Sequence, residues 1–342
     1  MQLTGIGEFG LIRKIRKELG KIQEKGVVVG IGDDAAALEI EGGKLTLLTT
    51  DTLVEDVHFR WDYASSFEVG WKSLAVNVSD IAAMGGSPLY SLISLSLPSE
   101  VESFKVEDLY KGLKKAASQY KVNIIGGNIV HSPIFSITIS LVGEVEKENI
   151  LLRSGARKGD LIYVTGELGS SRAGLECLRN PNLKVDPEIR KSLVRKHLLP
   201  SPRLKEGRIL AKEKIATAAI DISDGLVSDL LRITEESKIG ATLWEEKIPF
   251  SFASEEVSKE VGISPQKWAF YGGEDYELLF TVSRDKKEKI KELDFSSYLI
   301  GDIVGKEEGV SLKKESGEKI PLENKGYDHF KLLEGGNIPP QR

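Results

Sequence analysis

The sequence predicts an α/β protein with mixed, α+β-like sheets, organised as two domains. Three observations predict this. The chain has 342 residues, and a domain takes ~150. Short β-type runs alternate with helical-period segments in both halves. A charged, glycine-containing connection, Arg153 to Asp160, lies near the middle. The expected division is 1–150 and 151–333, with 334–342, which carries Gly335-Gly336 and Pro339-Pro340, as a disordered tail.

In chain order, Leu11, Ile15, Leu19 and Ile22 recur at helical spacing after Gly10. Val27 to Val29 and Leu45 to Thr49 read as strands around the turn-rich Gly30 to Ala37. From Trp71, the positions Leu74, Ala75, Val78 and Ala82 trace one helical stripe, with Asp80 pointing away from it, and Gly85-Gly86 and Pro88 end the helix. A strand from Leu92 to Leu97 precedes a helix holding Leu109, Leu113, Ala116, Ala117 and Tyr120. The strand Val122 to Ile125 runs into Gly126-Gly127, and Phe135 to Val142 completes the first unit. The second half opens with the strand Leu161 to Thr165 and a helix past Arg172. Ala216 to Ile222 is a strand leading into a helix through Leu226, Leu230 and Leu231. The Lys286 to Lys291 run reads as a solvated helix face.

Composition excludes several classes. Apolar residues at 40% and charged residues at 29% match a globular chain, not a disordered or membrane-embedded one. Lys and Arg number 47 against 52 Asp and Glu, a net charge of −5 with no basic block, so no nucleic acid is expected as a partner. No membrane is expected either: the most apolar stretch, Pro88 to Pro98, is too short to span a bilayer. The charged N-terminus lacks a signal-peptide core, and the single Cys177 suits a reducing compartment, so a cytoplasmic home is expected.

The chemistry lies in the acids. Asp33-Asp34, Asp51, Asp80, Asp221 with Asp224, and Glu274-Asp275 sit beside glycines or small residues at the ends of predicted elements. Any one of them is by default a cap or a solvated carboxylate. As a set, Asp33, Asp34 and Asp51 follow apolar strands with no neighbouring Lys or Arg, and converging carboxylates repel unless hard cations lie between them. Magnesium suits such oxygens and bridges to phosphates; Thr49 and Thr50 could add oxygens. The pairs Gly126-Gly127 and Gly272-Gly273 would let backbone N–H groups approach a phosphate, or form tight turns. Gly5-Ile-Gly7-Glu-Phe-Gly10 lacks the strand that a dinucleotide fingerprint requires. Gly30 to Ala35 follows a strand but meets another strand and two carboxylates where the fingerprint needs a helix N-terminus.

Several segments are recognisable together: Gly7-Glu-Phe-Gly-Leu-Ile12, Gly30-Ile-Gly-Asp-Asp-Ala35, Thr49-Thr-Asp-Thr-Leu53, Val57-His-Phe59 and Ala75-Val-Asn-Val-Ser-Asp-Ile-Ala-Ala-Met-Gly85. They continue with Arg153-Ser-Gly155, Asp221-Ile-Ser-Asp-Gly-Leu226, Gly272-Gly-Glu-Asp-Tyr-Glu-Leu278 and Gly326-Tyr-Asp-His-Phe330. In this order they resemble the thiamine-monophosphate kinases of the aminoimidazole-ribonucleotide-synthetase-like superfamily over nearly the whole chain. The resemblance implies that superfamily's two-domain fold, with N-terminal domains pairing in a homodimer, several Mg2+ ions, and ATP and thiamine monophosphate as substrates. It implies a magnesium set of Asp34, Thr49, Thr50, Asp51, Asp80, Asn128, Asp221 and Asp224. ATP contacts would fall on Tyr110, Gly127, Asn128, Arg153 and Ser223, and the thiamine-phosphate side on His58, Glu274 and Tyr327. Asp51, Asp80, Asp224 and Arg153 are the implied catalytic group. Asn128 stands where many members carry Asp, and an amide brings no charge. Without the resemblance, His58 reads as a structural hydrogen-bonding residue, Tyr327 as a packed aromatic and Arg153 as a surface charge.

The implied reaction is ATP-dependent phosphorylation of thiamine monophosphate to thiamine diphosphate by direct, in-line γ-phosphoryl transfer. Two other readings stay open: another ATP-dependent superfamily member, such as a purine-pathway cyclase, or a non-catalytic nucleotide- or thiamine-phosphate-binding protein. A selenophosphate-forming enzyme would want an N-terminal Cys, and Cys177 is in the wrong place.

Overall fold

The computed structural model describes residues 8, 10–15, 17, 26–40, 42–327 and 329–330, which contain two sheets. The first holds β1 (Val27–Val29), β2 (Ala36–Leu38), β3 (Lys44–Val54), β4 (Ser87–Leu97), β5 (Asn123–His131) and β6 (Ser136–Glu146), in the order β1-β2-β3-β6-β4-β5. Only β4 and β5 pair in parallel. The second holds β7 (Leu161–Val164), β8 (Ala216–Asp221), β9 (Gly240–Trp244), β10 (Leu278–Val282), β11 (Tyr298–Val304), β12 (Val310–Lys313) and β13 (Lys319–Pro321). Its order is β13-β12-β9-β11-β7-β10-β8, with β9 and β12 parallel. Both sheets are therefore mixed, as the α/β, two-domain reading expects.

Helices α1 (Ser66–Ala83) and α2 (Ser103–Tyr120) cover one face of the first sheet. A capping box starts α1: Ser65 Oγ accepts from Glu68 N, and Glu68 Oε2 accepts from Ser65 N at 2.8 Å. The two helices touch backbone to backbone, since a Cβ on Gly70 would lie 2.1 Å from Leu109 O and one on Gly112 1.9 Å from Phe67 O. The second half also holds α3 (Ser170–Arg179), α4 (Pro187–Leu198), α5 (Leu204–Lys212), α6 (Leu226–Ser237), α7 (Phe252–Val261), α8 (Pro265–Tyr271) and α9 (Lys287–Ile290), of which α3, α4, α7 and α8 pack on one another through Ala173, Leu193, Val257 and Trp268. Its core is built on Ile162, Val164, Ile220, Leu230, Leu243 and Leu279.

Two expectations need correction. The helix from Trp71 is not one-sided: every residue of α1 except Phe67, Glu68 and Asp80 is buried. The reason is that α1 lies between the halves, with Leu74, Ala75, Val78 and Ile81 in the first core and Ala83 in a cluster with Leu161, Leu210 and Phe280 of the second. The strand from Val122 also does not end before the glycines but runs through Gly126, Gly127 and Asn128 to His131. A β-bulge at Ser91/Leu92 brings Ile93 O to within 1.9 Å of where a Gly127 Cβ would sit, so the glycine answers a close strand approach.

Residues 10–15 are helical, while Leu19, Ile22, Gly5, Gly7 and the tail 334–342 lie outside the described residues. Among the described residues no helix is long and apolar enough to cross a membrane.

Candidate active site

A cleft of about 1080 Å³ opens between the halves. β2 pairs with β3 only as far as Leu48, so the β3 edge from Thr49 to Val54 forms one wall. Alternation along β3 puts Thr49 and Asp51 on the side of buried Leu45, Leu47 and Leu53. Thr50 alternates to the other side of the strand and donates its hydroxyl to Ile139 O at 3.1 Å, a bond that leaves the oxygen's lone pairs free.

Asp34 from the β1–β2 loop, Asp80 from the last turn of α1 and Asp221 from the end of β8 meet here. One carboxylate oxygen from each lies within 4.8 Å of the others. Thr49 Oγ1 donates to Asp80 Oδ2 at 2.5 Å, and Ser79 Oγ to Asp221 Oδ2 at 2.6 Å across the domain boundary. Burial first, then the charges of Asp51, Asp221 and Asp34, pushes Asp80 well above the usual carboxylate range. Burial and then Asp34 do the same to Asp221. Asp33, which accepts from the backbone N–H groups of Asp34 and Arg153, is pushed up to about 7, by burial and then by Asp34.

The expectation that Asp34 has no cation nearby is corrected by tertiary structure: Arg153 Nη2 reaches Asp34 Oδ1 at 2.5 Å. Burial works against the Arg153 charge, yet Asp34 and then Asp33 hold it above its ordinary value. Asp34 Oδ2 is buried with no hydrogen-bond partner. On the second-domain wall, Ser223 and Asp224 follow β8, and Asp229 Oδ2 accepts from both of their N–H groups. Arg232, one face of α6 further along, pairs with Asp224 and Asp229.

At the far end His58, 7% exposed, uses Nδ1 to accept the Val54 N–H at 3.1 Å. The His329 ring lies 5.2 Å from it, and Tyr327 Oη is 3.3 Å from His329 Nδ1. Glu274 does not face open solvent; it is buried and bound by Lys72. Tyr110, on α2, and Gly127 and Asn128, on β5, are exposed and are not part of this cleft in a single chain. The sequence reading missed Arg232, Tyr276 and His329, which line the cleft, and Lys72 behind it. Signals existed for two: Arg232 lies two helical turns beyond Asp224, and Lys72 interrupts an apolar run.

The fit to hard cations can be judged from these residues. Three carboxylates with oxygens within 4.8 Å of one another, Asp34 and Asp221 buried and Asp80 half-buried, one of them with an unpartnered oxygen, form an all-oxygen donor set whose mutual repulsion cations relieve.

The N-terminal domain of AIR synthase related proteins matches residues 32–145, and the C-terminal domain residues 157–313. The chain is 41% identical over 330 residues to thiamine-monophosphate kinase of Aquifex aeolicus, covering 96% of this chain and 100% of the relative. It is 40% identical over 328 residues to thiamine-monophosphate kinase of Buchnera aphidicola (subsp. Schizaphis graminum), covering 94% and 98%. A solved structure described as AaThiL complexed with AMPPCP and TMP superposes with a TM-score of 0.85 at 39% identity, over 96% of this chain and 99% of that one.

Proposed function

The chain belongs to the thiamine-monophosphate kinase family of AIR synthase related proteins, and from that premise we propose how its cleft works. It transfers the γ-phosphoryl group of ATP to thiamine monophosphate, giving thiamine diphosphate and ADP. The observation that carries the mechanism is the convergence of Asp34, Asp80 and Asp221 beside Arg153 in an interdomain cleft.

The acceptor is a phosphate monoester with a second pKa of ~6, so near neutral pH its attacking oxygen has already lost its proton. Such a nucleophile needs alignment and charge neutralisation rather than a general base. His58 fits that requirement. Because its Nδ1 accepts the Val54 N–H, the ring proton sits on Nε2, and His58 offers the cleft a donor, not a base. His58 and Tyr327 hold the acceptor side.

Asp34, Asp51, Asp80, Asp221 and Asp224, framed by Thr49 and Thr50, would hold magnesium. Bound there, it would supply positive charge that offsets the repulsion between the two phosphates. Arg153 and Ser223 contact the ATP phosphates.

Tyr110, Gly127 and Asn128 are given to ATP as well, with Asn128 an uncharged metal ligand, and these positions ask for a second copy of the chain. Gly127, Ile93, Ile139 and Asp51 stand in one row across β5, β4, β6 and β3. Three strand spacings, about 14 Å, therefore separate Gly127 from Asp51. The outer strand β5 exposes Ile125 and Ile129, and β4 exposes Leu92 on the uncovered sheet face. An apolar edge of this kind invites pairing, and a homodimer over this face sets these ATP contacts at a seam.

Product analysis tests the reading. With γ-labelled ATP, magnesium and thiamine monophosphate, label enters thiamine diphosphate in a one-to-one ratio with ADP. Release of the label as free phosphate, with no thiamine diphosphate formed, overturns it.

A further inference from the structure

Lys72 stands in the middle of α1 with only 2% of its side chain exposed. Lysines are almost never buried without a partner. Its Nζ donates to Oε2 of Glu274, itself 3% exposed and contributed by the other domain, at 2.8 Å. His197, at the end of α4, brings Nδ1 to 3.3 Å from the same oxygen and to 3.0 Å from Ser171 Oγ. Burial, and then the charges of Lys72, Arg179 and Arg172, holds His197 well below its ordinary value, so the ring is neutral. Tyr63 and Tyr276 also face this carboxylate, and burial pushes both phenols up, Tyr63 to about 12. Lys72 is thus the counter-charge of Glu274.

The other oxygen is different. Glu274 Oε1 is buried with no hydrogen-bond partner, although an unsatisfied buried acceptor is costly. The loop that carries it is strained, with Glu274 at φ 57° and Tyr276 at φ 50°. Backbone strain of this kind is kept at functional sites. Glu274 N donates to Ser223 O at 2.8 Å, and Tyr276 N to Ile222 O at 2.9 Å, so the loop is fastened to the strand end that forms the cleft wall.

We propose that Lys72 is a positioning residue: it fixes Glu274 through Oε2 so that Oε1 accepts an N–H from the exocyclic amine of the thiamine monophosphate pyrimidine ring. The proposal rests on reading Glu274 as an acceptor-side residue. Chemistry selects the amine. An ionised carboxylate only accepts, and neither the quaternary thiazolium nor a dianionic phosphate has an N–H or O–H to give.

The test is a set of KM values for both substrates. Glu274→Gln raises the KM for thiamine monophosphate. Lys72→Met raises it roughly tenfold or more, as expected for loss of one charge-assisted hydrogen bond, with kcat and the KM for ATP close to wild type. Lys72→Arg recovers part of the loss, and Lys72→Met with Glu274→Gln is no worse than Glu274→Gln alone. An unmoved acceptor KM in Lys72→Met, where Glu274→Gln raises it, overturns the role of Lys72. If Glu274→Gln itself has no effect, the reading of Glu274 falls, and a rise confined to the ATP KM would assign the contact to adenine and overturn the proposal. Because Lys72→Met strands a buried carboxylate and can fail to fold, a des-amino analogue of thiamine monophosphate reads the same contact in the wild-type protein. It should show a comparable rise in KM, and a KM equal to that of thiamine monophosphate contradicts the proposal.

Discussion

At His58 a single backbone contact fixes the chemistry, because a ring nitrogen that accepts the Val54 N–H cannot also take up a substrate proton. His58→Asn should therefore weaken acceptor binding while the acidic limb of kcat/KM for thiamine monophosphate stays near ~6, the ionisation of a phosphate monoester. Loss of that limb together with a collapse of kcat would make His58 the base. Asp51 is the complementary case: it shares the β3 wall with Thr49, and its charge acts on half-buried Asp80. Asp51→Asn keeps the volume and should lower turnover by orders of magnitude while the circular dichroism spectrum is unchanged; near-normal turnover at saturating magnesium removes it from the site. The acids were legible in the sequence because they stand beside glycines and small residues at the ends of apolar runs. Their partners were not. Arg153 lies 119 residues from Asp34, and Lys72 lies 202 from Glu274, and no local pattern reports such pairs.

Helix α1 shows what periodicity can and cannot tell. Its stripe of Leu74, Ala75 and Val78 located the core side, but burial of the opposite side depends on a second domain that the window of a helical wheel does not contain. Its closeness to α2 rests on Gly70 and Gly112. Gly112→Val should cost on the order of 3 kcal/mol through overpacking, read as a lower urea midpoint, since its Cβ would lie 1.9 Å from Phe67 O. Strand β5 was cut short in the sequence reading because paired glycines signal turns more often than bulges. If β5 and the open sheet face form the seam between two copies, Ile129→Glu should shift the protein to monomer in light scattering and lower its activity, because Ile129 is 63% exposed in one chain. A dimer that persists unchanged would place the seam elsewhere.

For the whole molecule, the mixed α/β class and the division into two halves were legible from alternating segment types. Strand order was not, since β6 sits between β3 and β4 through contacts far apart in sequence. Folding also leaves a pH signature outside the acid cluster. Asp275 accepts the N–H groups of Gly169 and Ser171 at the start of α3, and burial pushes it from 3.8 to about 7. Over that window the folded state holds a proton that the unfolded chain has released, so this group's contribution to stability falls as pH rises from about 4 to about 7. Asp275→Asn should therefore gain stability relative to wild type between pH 5 and pH 8 in thermal melts, and a constant difference would contradict the assignment. Both halves line one acid-rich cleft, and on the proposed mechanism divalent cations held there allow phosphoryl transfer to a phosphate. Formation of thiamine diphosphate from ATP and thiamine monophosphate, followed as free magnesium is removed with EDTA and then restored, tests it most directly. Turnover should stop on chelation and return with magnesium; thiamine diphosphate formation that continues in excess EDTA would contradict the metal-dependent mechanism.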